Sequence, residues 1–174
     1  MRKILIVIDM QNDFIDGALG TKEACGIVDN VIAKAESYAK DNIVATMDTH
    51  GDNYSETQEG RNLPVPHCIK GTDGWKINEK LSPHLAGVRV YEKPGFGSPA
   101  LVEHIKELAA KEEIEIEMVG LCTDICVVTN ALMIKGALPE VPICVDAACC
   151  AGVTPESHEH ALFTMASCQI QINR

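Results

Sequence analysis

Basic residues are in short supply in this chain: 15 Lys and Arg stand against 25 Asp and Glu, a formal charge of −10. No basic patch is available to meet phosphates, which excludes nucleic acid and an anionic membrane surface as partners. Long apolar runs are missing as well. None approaches the roughly 20 residues of a bilayer span, and the run after Met1-Arg2-Lys3 is too short for the core of a secretion signal. The expectation is a soluble, cytoplasmic protein. Aromatic residues make up only 4%, with Trp75 the single tryptophan. Repeats, linkers and low-complexity stretches are absent. A chain of 174 residues suffices for one substantial core and is short for two, so residues 1–174 are expected to form a single domain. The eight cysteines include no Cys-x-x-Cys pair, and several lie in strand- or helix-like segments. Reduced thiols are therefore expected rather than disulfides.

What is present is an alternation of two patterns. Lys3 to Ile8 (KILIVI) is a short, β-branched apolar run of the kind buried on both faces of a sheet. Thr21 to Lys40 reads as a helix with Ile27, Val31, Ile32, Ala35 and Tyr38 near one face, and Ile43 to Met47 as a second strand. A polar, irregular stretch from Gly51 to Ala86 follows, long enough to suggest function. Strands are then expected at Val88–Tyr91, Ile114–Val119, Val141–Val145 and Cys168–Ile172. Helices are expected at Pro99–Lys111, Asp124–Lys135 and Pro155–Ala166. Strands alternating with helices predict a parallel sheet with helices on both faces.

In such sheets, sites form at the carboxyl ends of the strands. Four polar groups fall there: Asp9, Asp48 with His50, Lys93, and Cys126. The nine residues Gly120-Leu121-Cys122-Thr123-Asp124-Ile125-Cys126-Val127-Val128 read as strand, turn and helix, with Thr123 or Asp124 as the N-cap. Cys126 then lies in the first helical turn, where unpaired N–H groups favour a thiolate. An Asp, a Lys and a Cys that converge make a chemical unit. The carboxylate takes the thiol proton and returns it to a leaving amine, while the ammonium keeps that carboxylate ionised.

The segments Asp9-Met10-Gln11-Asn12-Asp13-Phe14, the Lys93 turn and Gly120 to Val127 resemble the isochorismatase-like cysteine hydrolases, in particular the nicotinamidase-related branch. The resemblance runs through nearly the whole chain in the same order. It implies a three-layer α/β sandwich with a six-stranded parallel sheet, frequent homo-oligomers, and a catalytic triad of Asp9, Lys93 and Cys126. It also implies a cis peptide bond at Leu121–Cys122, an oxyanion hole formed by the N–H groups of Cys122 and Cys126, and Phe14 as an aromatic wall for substrate. Asp48-Thr49-His50 with Pro64-Val65-Pro66-His67 looks like the family's metal site, with Asp48, His50 and His67 as ligands and Glu59 as the fourth, Glu56 being the alternative. One carboxylate and two imidazoles suit zinc, with iron or manganese possible.

The activity implied is hydrolysis of a small amide, nicotinamide to nicotinate and ammonia, through a thioester on Cys126. Two departures from the family pattern point toward another small amide, ureide or carbamoyl compound. Pro64 stands where a ring-stacking aromatic is expected, leaving Trp75 or Phe96 to replace it, and the segment after Lys93 is short. A non-hydrolytic alternative is a thiol redox or zinc-binding module built on Cys122, Cys126, Cys149 and Cys150, against which the missing Cys-x-x-Cys spacing counts.

Overall fold

Ile4, Ile6 and Ile8 point into one core and Leu5 and Val7 into another, so the first strand is buried on both faces. The two-residue period of a strand divides KILIVI in this way. In the computed structural model, which describes residues 1–174, this strand β1 (Arg2–Ile8) is central in a six-stranded sheet. The other strands are β2 (Ile43–Asp48), β3 (Arg89–Lys93), β4 (Ile114–Leu121), β5 (Ile143–Ala151) and β6 (Gln171–Asn173). Their order is β3-β2-β1-β4-β5-β6 and every pairing is parallel.

Helices cover both faces. On one lie α4 (Pro99–Ala109), α5 (Val128–Ala137) and α6 (Pro155–Ser167), contributing Leu101, Ile105, Ala131, Ile134, Leu162 and Met165 to a core of 20 buried residues. On the other, a second core of 20 is closed by the short α1 (Asn12–Ile15) and by α2 (Lys22–Glu36), through Ile27, Val28, Val31 and Ala35. The irregular stretch adds Cys68, Leu81 and Leu85 and holds one more short helix, α3 (Gln58–Asn62). No helix is long and apolar enough to cross a membrane. The expected three-layer α/β sandwich is what is observed.

Strand order reverses direction between β1 and β4, and a crevice opens at the carboxyl ends of strands at such a switch point. Gly120 makes the two strands fit there. It pairs with Ile8 and has φ +119°, and a Cβ on it would stand 2.1 Å from the Ile8 carbonyl oxygen. Gly120→Ala should cost roughly 3 kcal/mol or more, from the sum of backbone strain and overpacking. Denaturant unfolding measures this, and a loss below about 1 kcal/mol would mean that the strands separate easily.

Two local expectations are corrected. β5 runs on to Ala151, six residues past Val145, because its later part pairs with Gly120 and Leu121 of β4 after a register shift. The segment after β4 does not start as an α-helix. Thr123–Val127 is a π-helical turn in which the Val127 N–H reaches back to the Cys122 carbonyl at 3.1 Å. Neither Thr123 nor Asp124 caps it. The Thr123 hydroxyl pairs with His158 Nδ1 at 2.8 Å, and Asp124 Oδ1 accepts from the Val153 N–H at 3.1 Å.

Candidate active site

β1, β3 and the turn after β4 deliver Asp9, Lys93 and Cys126 to one buried point. Asp9 is fully buried, Lys93 is 1% and Cys126 4% exposed. Lys93 Nζ is 2.6 Å from Asp9 Oδ2 and donates to Cys126 Sγ at 3.3 Å and to the Gly95 carbonyl at 3.0 Å. Asp9 Oδ1 accepts from the Thr46 hydroxyl at 2.6 Å. Oδ2, the other carboxylate oxygen, has the Lys93 ammonium as its partner, also at 2.6 Å. Asp9 also has φ +46°, a left-handed conformation uncommon for a non-glycine residue and concentrated at functional sites.

The electrostatics follow from burial. Desolvation raises Asp9 above the ordinary carboxylate range, although the Lys93 charge opposes it. Lys93 is raised despite desolvation, because Asp9, Cys126 and Asp48 surround it. Desolvation also pushes the Cys126 thiol well up, the Asp9 charge adds to this, and Lys93 only partly offsets both. Burial and the Asp9 carboxylate thus oppose the thiolate that a helix start alone would favour, and that carboxylate lies beside the thiol as a proton acceptor. Cys122 is pushed up to about 12, again mainly by burial. The peptide bond between Leu121 and Cys122 is cis, and the Cys122 N–H makes no hydrogen bond within the protein.

The end of β2 and the irregular stretch assemble a second group. Asp48, His50, Glu59 and His67 each bring one ligand atom, and these four lie within 4.8 Å of one another. Asp48 Oδ2 is 2.9 Å from His50 Nε2 and 3.5 Å from His67 Nε2, and Glu59 Oε1 is 3.7 and 3.6 Å from the same nitrogens. Ligands about 2.0–2.2 Å from a tetrahedral ion stand about 3.4 Å apart, so the group has the dimensions of a metal site. His67 Nδ1 pairs with the Val65 carbonyl at 2.9 Å, which turns Nε2 toward the other ligands. Glu59, not Glu56, completes the set. Lys93 Nζ is 3.5 Å from Asp48 Oδ1, so the two groups are contiguous.

Phe14 packs against His67 with ring centroids 5.5 Å apart. Two residues the sequence reading missed hold this region. Tyr54 sets its ring edge-on to both His50 and His67, and Gln11 exchanges hydrogen bonds with the Asp48 backbone at both its amide atoms. Tyr54 stands in no recognisable motif, whereas Gln11 lies inside the Asp9–Phe14 segment without a role assigned to it there. A cavity of about 520 Å³ reaches the metal group at His50 and Glu59 and is walled by Leu63, Pro94, Phe96 and Ile125. Phe96, 49% exposed, is the one aromatic ring among these walls. Trp75 does not line this cavity; its indole N–H donates to Thr49. Another hollow, of about 210 Å³, lies between Lys3, Tyr38 and Asn173, away from all of these groups.

The cysteine alternative fails on geometry. All eight cysteines are free thiols, Cys149 and Cys150 face opposite cores, and the Asp48, His50, Glu59 and His67 cluster contains no sulfur.

An all-parallel α/β sandwich with its polar groups gathered at the switch point defines the class of protein. Residues 3–173 match the family model described as the isochorismatase domain. An uncharacterised isochorismatase family protein of Bacillus subtilis is 33% identical over 143 residues, 76% of this chain and 78% of that protein. The crystal structure of a nicotinamidase/pyrazinamidase from Bacillus subtilis superposes with a TM-score of 0.83 at 29% identity, with all of both chains covered. That of a Pyrococcus horikoshii pyrazinamidase in complex with zinc gives 0.79 at 25% identity, covering 100% of this chain and 99% of that one. The chain belongs to the isochorismatase family.

Proposed function

We propose that this protein hydrolyses a small amide, nicotinamide to nicotinate and ammonia, with Cys126 as nucleophile, Asp9 as proton carrier and Lys93 as the charge that holds both. The observation that carries this reading is the buried thiol 3.3 Å from the Lys93 ammonium, with Asp9 Oδ2 2.6 Å from that same ammonium. Asp9 Oδ2 takes the thiol proton as sulfur bonds to the carbonyl carbon. The N–H groups of Cys122 and Cys126 receive the developing oxyanion. Asp9 returns the proton to the nitrogen, ammonia leaves, and a thioester remains on Cys126. Asp9 then draws a proton from water, which attacks the thioester and releases the acid and the thiol. The two nitrogen and two oxygen donors of Asp48, His50, Glu59 and His67 fit zinc, or iron or manganese. Such an ion supplies an anchor for the pyridine nitrogen, which orients the amide toward the thiol. Phe14 and Phe96 are assigned as walls of the substrate site.

A second reading, hydrolysis of another small amide, ureide or carbamoyl compound, is favoured by Pro64, which supplies no aromatic ring for a pyridine. Ammonia release from nicotinamide, benzamide and a set of ureides, before and after chelation and zinc reconstitution, decides between them. We expect nicotinamide to be cleaved far faster than benzamide, with chelation removing the difference. Equal rates on the two aromatic amides, or no metal bound after reconstitution, would remove nicotinamide from first place.

A further inference from the structure

We propose that Asn130 is a positioning residue that locks the Lys93 turn onto the nucleophile turn; the inference rests on the amidase reading above. Asn130 lies one helical turn beyond Cys126 and is fully buried, between Val127, Ala131 and Ile134 of the apolar face. An amide at such a place costs free energy unless its polar atoms are paired. Its Nδ2 donates to the Cys126 carbonyl at 2.8 Å and to the Phe96 carbonyl at 3.1 Å, and its Oδ1 accepts from the Ser98 N–H at 2.9 Å. Two carbonyls on one side and an N–H on the other fix which way the amide faces.

All three partners belong to two segments only, the turn that carries Cys126 and the turn from Lys93 to Ser98. Lys93 joins the same two segments at the other end, through Gly95 and the Cys126 sulfur. The pair forms a closed brace with the ammonium at one end and the amide at the other. The turn packs directly on α5, where Gly97 faces the side chains of Met133 and Thr129. Capping does not explain the amide. The first turn of α4 is already capped by the Ser98 hydroxyl, which accepts from the Leu101 N–H at 3.2 Å. What Asn130 adds is the distance between Lys93, Phe96 and the nucleophile.

The test compares Asn130→Asp, Asn130→Ser and the packing control Ile134→Val. Its readouts are nicotinamide turnover, the rate of Cys126 alkylation by iodoacetamide followed by peptide mass mapping, and thermal stability. Asn130→Asp keeps the acceptor for Ser98 but turns an oxygen toward two carbonyls. Asn130→Ser is the milder change if the first variant folds poorly. We expect both to lower kcat and the Cys126 alkylation rate together, by roughly tenfold to a hundredfold, because a displacement of about 1 Å is costly in an aligned site. KM should move less than about threefold, whereas Ile134→Val lowers Tm and leaves both rates alone. Asn130 variants that lose stability but alkylate and turn over like the parent would overturn the proposal. If the parent itself leaves nicotinamide intact while the variants still alkylate more slowly, the brace stands and the substrate assignment fails.

Discussion

Cys126→Ala should leave a folded protein with no measurable amide hydrolysis, a loss of roughly 10⁴-fold or more, as for other enzymes stripped of their nucleophile. The substitution removes one sulfur from a packed site, so the melting temperature should fall by only a few degrees. Cys122→Ala is the control. Cys122 is assigned a role through its backbone N–H, which alanine retains, so turnover should stay within a few-fold of the parent. Ammonia release and a thermal melt on both variants suffice as measurements. Residual turnover near the parent level in Cys126→Ala would end the thioester mechanism, as would a Cys122→Ala variant that is equally dead.

Asp9→Asn should be nearly as damaging, by roughly 10³-fold, because an amide cannot receive the thiol proton. It also has a signature in pH. Burial raises Asp9 in the native protein, and the ionised carboxylate is the form that works. kcat/KM of the parent should therefore rise with pH through an acid limb whose midpoint lies above the ordinary aspartate value of about 3.9. Below that midpoint the carboxylate is protonated and the thiol proton has nowhere to go. Asp9→Asn should lose this limb along with the rate. Lys93 adds no limb on the alkaline side within the working range, since its pKa is raised by Asp9 and its other neighbours. A parent profile flat down to pH 4, or a variant that keeps the limb, contradicts the assignment of Asp9.

Much of this was legible in the sequence, for identifiable reasons. KILIVI reads as a doubly buried strand because a central parallel strand has no polar face, and Asp9 then follows at its carboxyl end. Asp48-x-His and Pro-x-Pro-His were legible only through the family resemblance; what brings His50 to His67 is the pairing of His50 with Cys68 to Lys70, which no local pattern shows. The π-helical turn was not legible. Thr123 and Asp124 have the chemistry of caps, but their partners, His158 and Val153, stand 35 and 29 residues away and are invisible to a local reading. The upward push on the Cys126 thiol was hidden for a related reason: the local pattern shows a helix start, while the opposing burial and the Asp9 charge come from the tertiary structure. The end of β5, Ala147 to Ala151, is alanine and cysteine and owes its strand to pairing with β4 rather than to propensity. Asn130 sits in a helix where the apolar pattern is otherwise continuous, so nothing nearby announced its role.

The pairing of Ile8 with Gly120 has a consequence for how this protein can change. Asp9 is the next residue after one side of that rung, and Cys126 follows a few residues after the other. Both side chains are thus referenced to one rung of the sheet ladder. One side of the cavity, from Thr57 to Leu63, and three of the four candidate metal ligands come instead from the long stretch between β2 and β3, while Pro94, Phe96 and Ile125 come from the turns that carry Lys93 and Cys126. On the proposed function, the first side is where the cavity can be recut for a different amide without altering the spacing of Asp9 and Cys126, and the second is tied to that spacing.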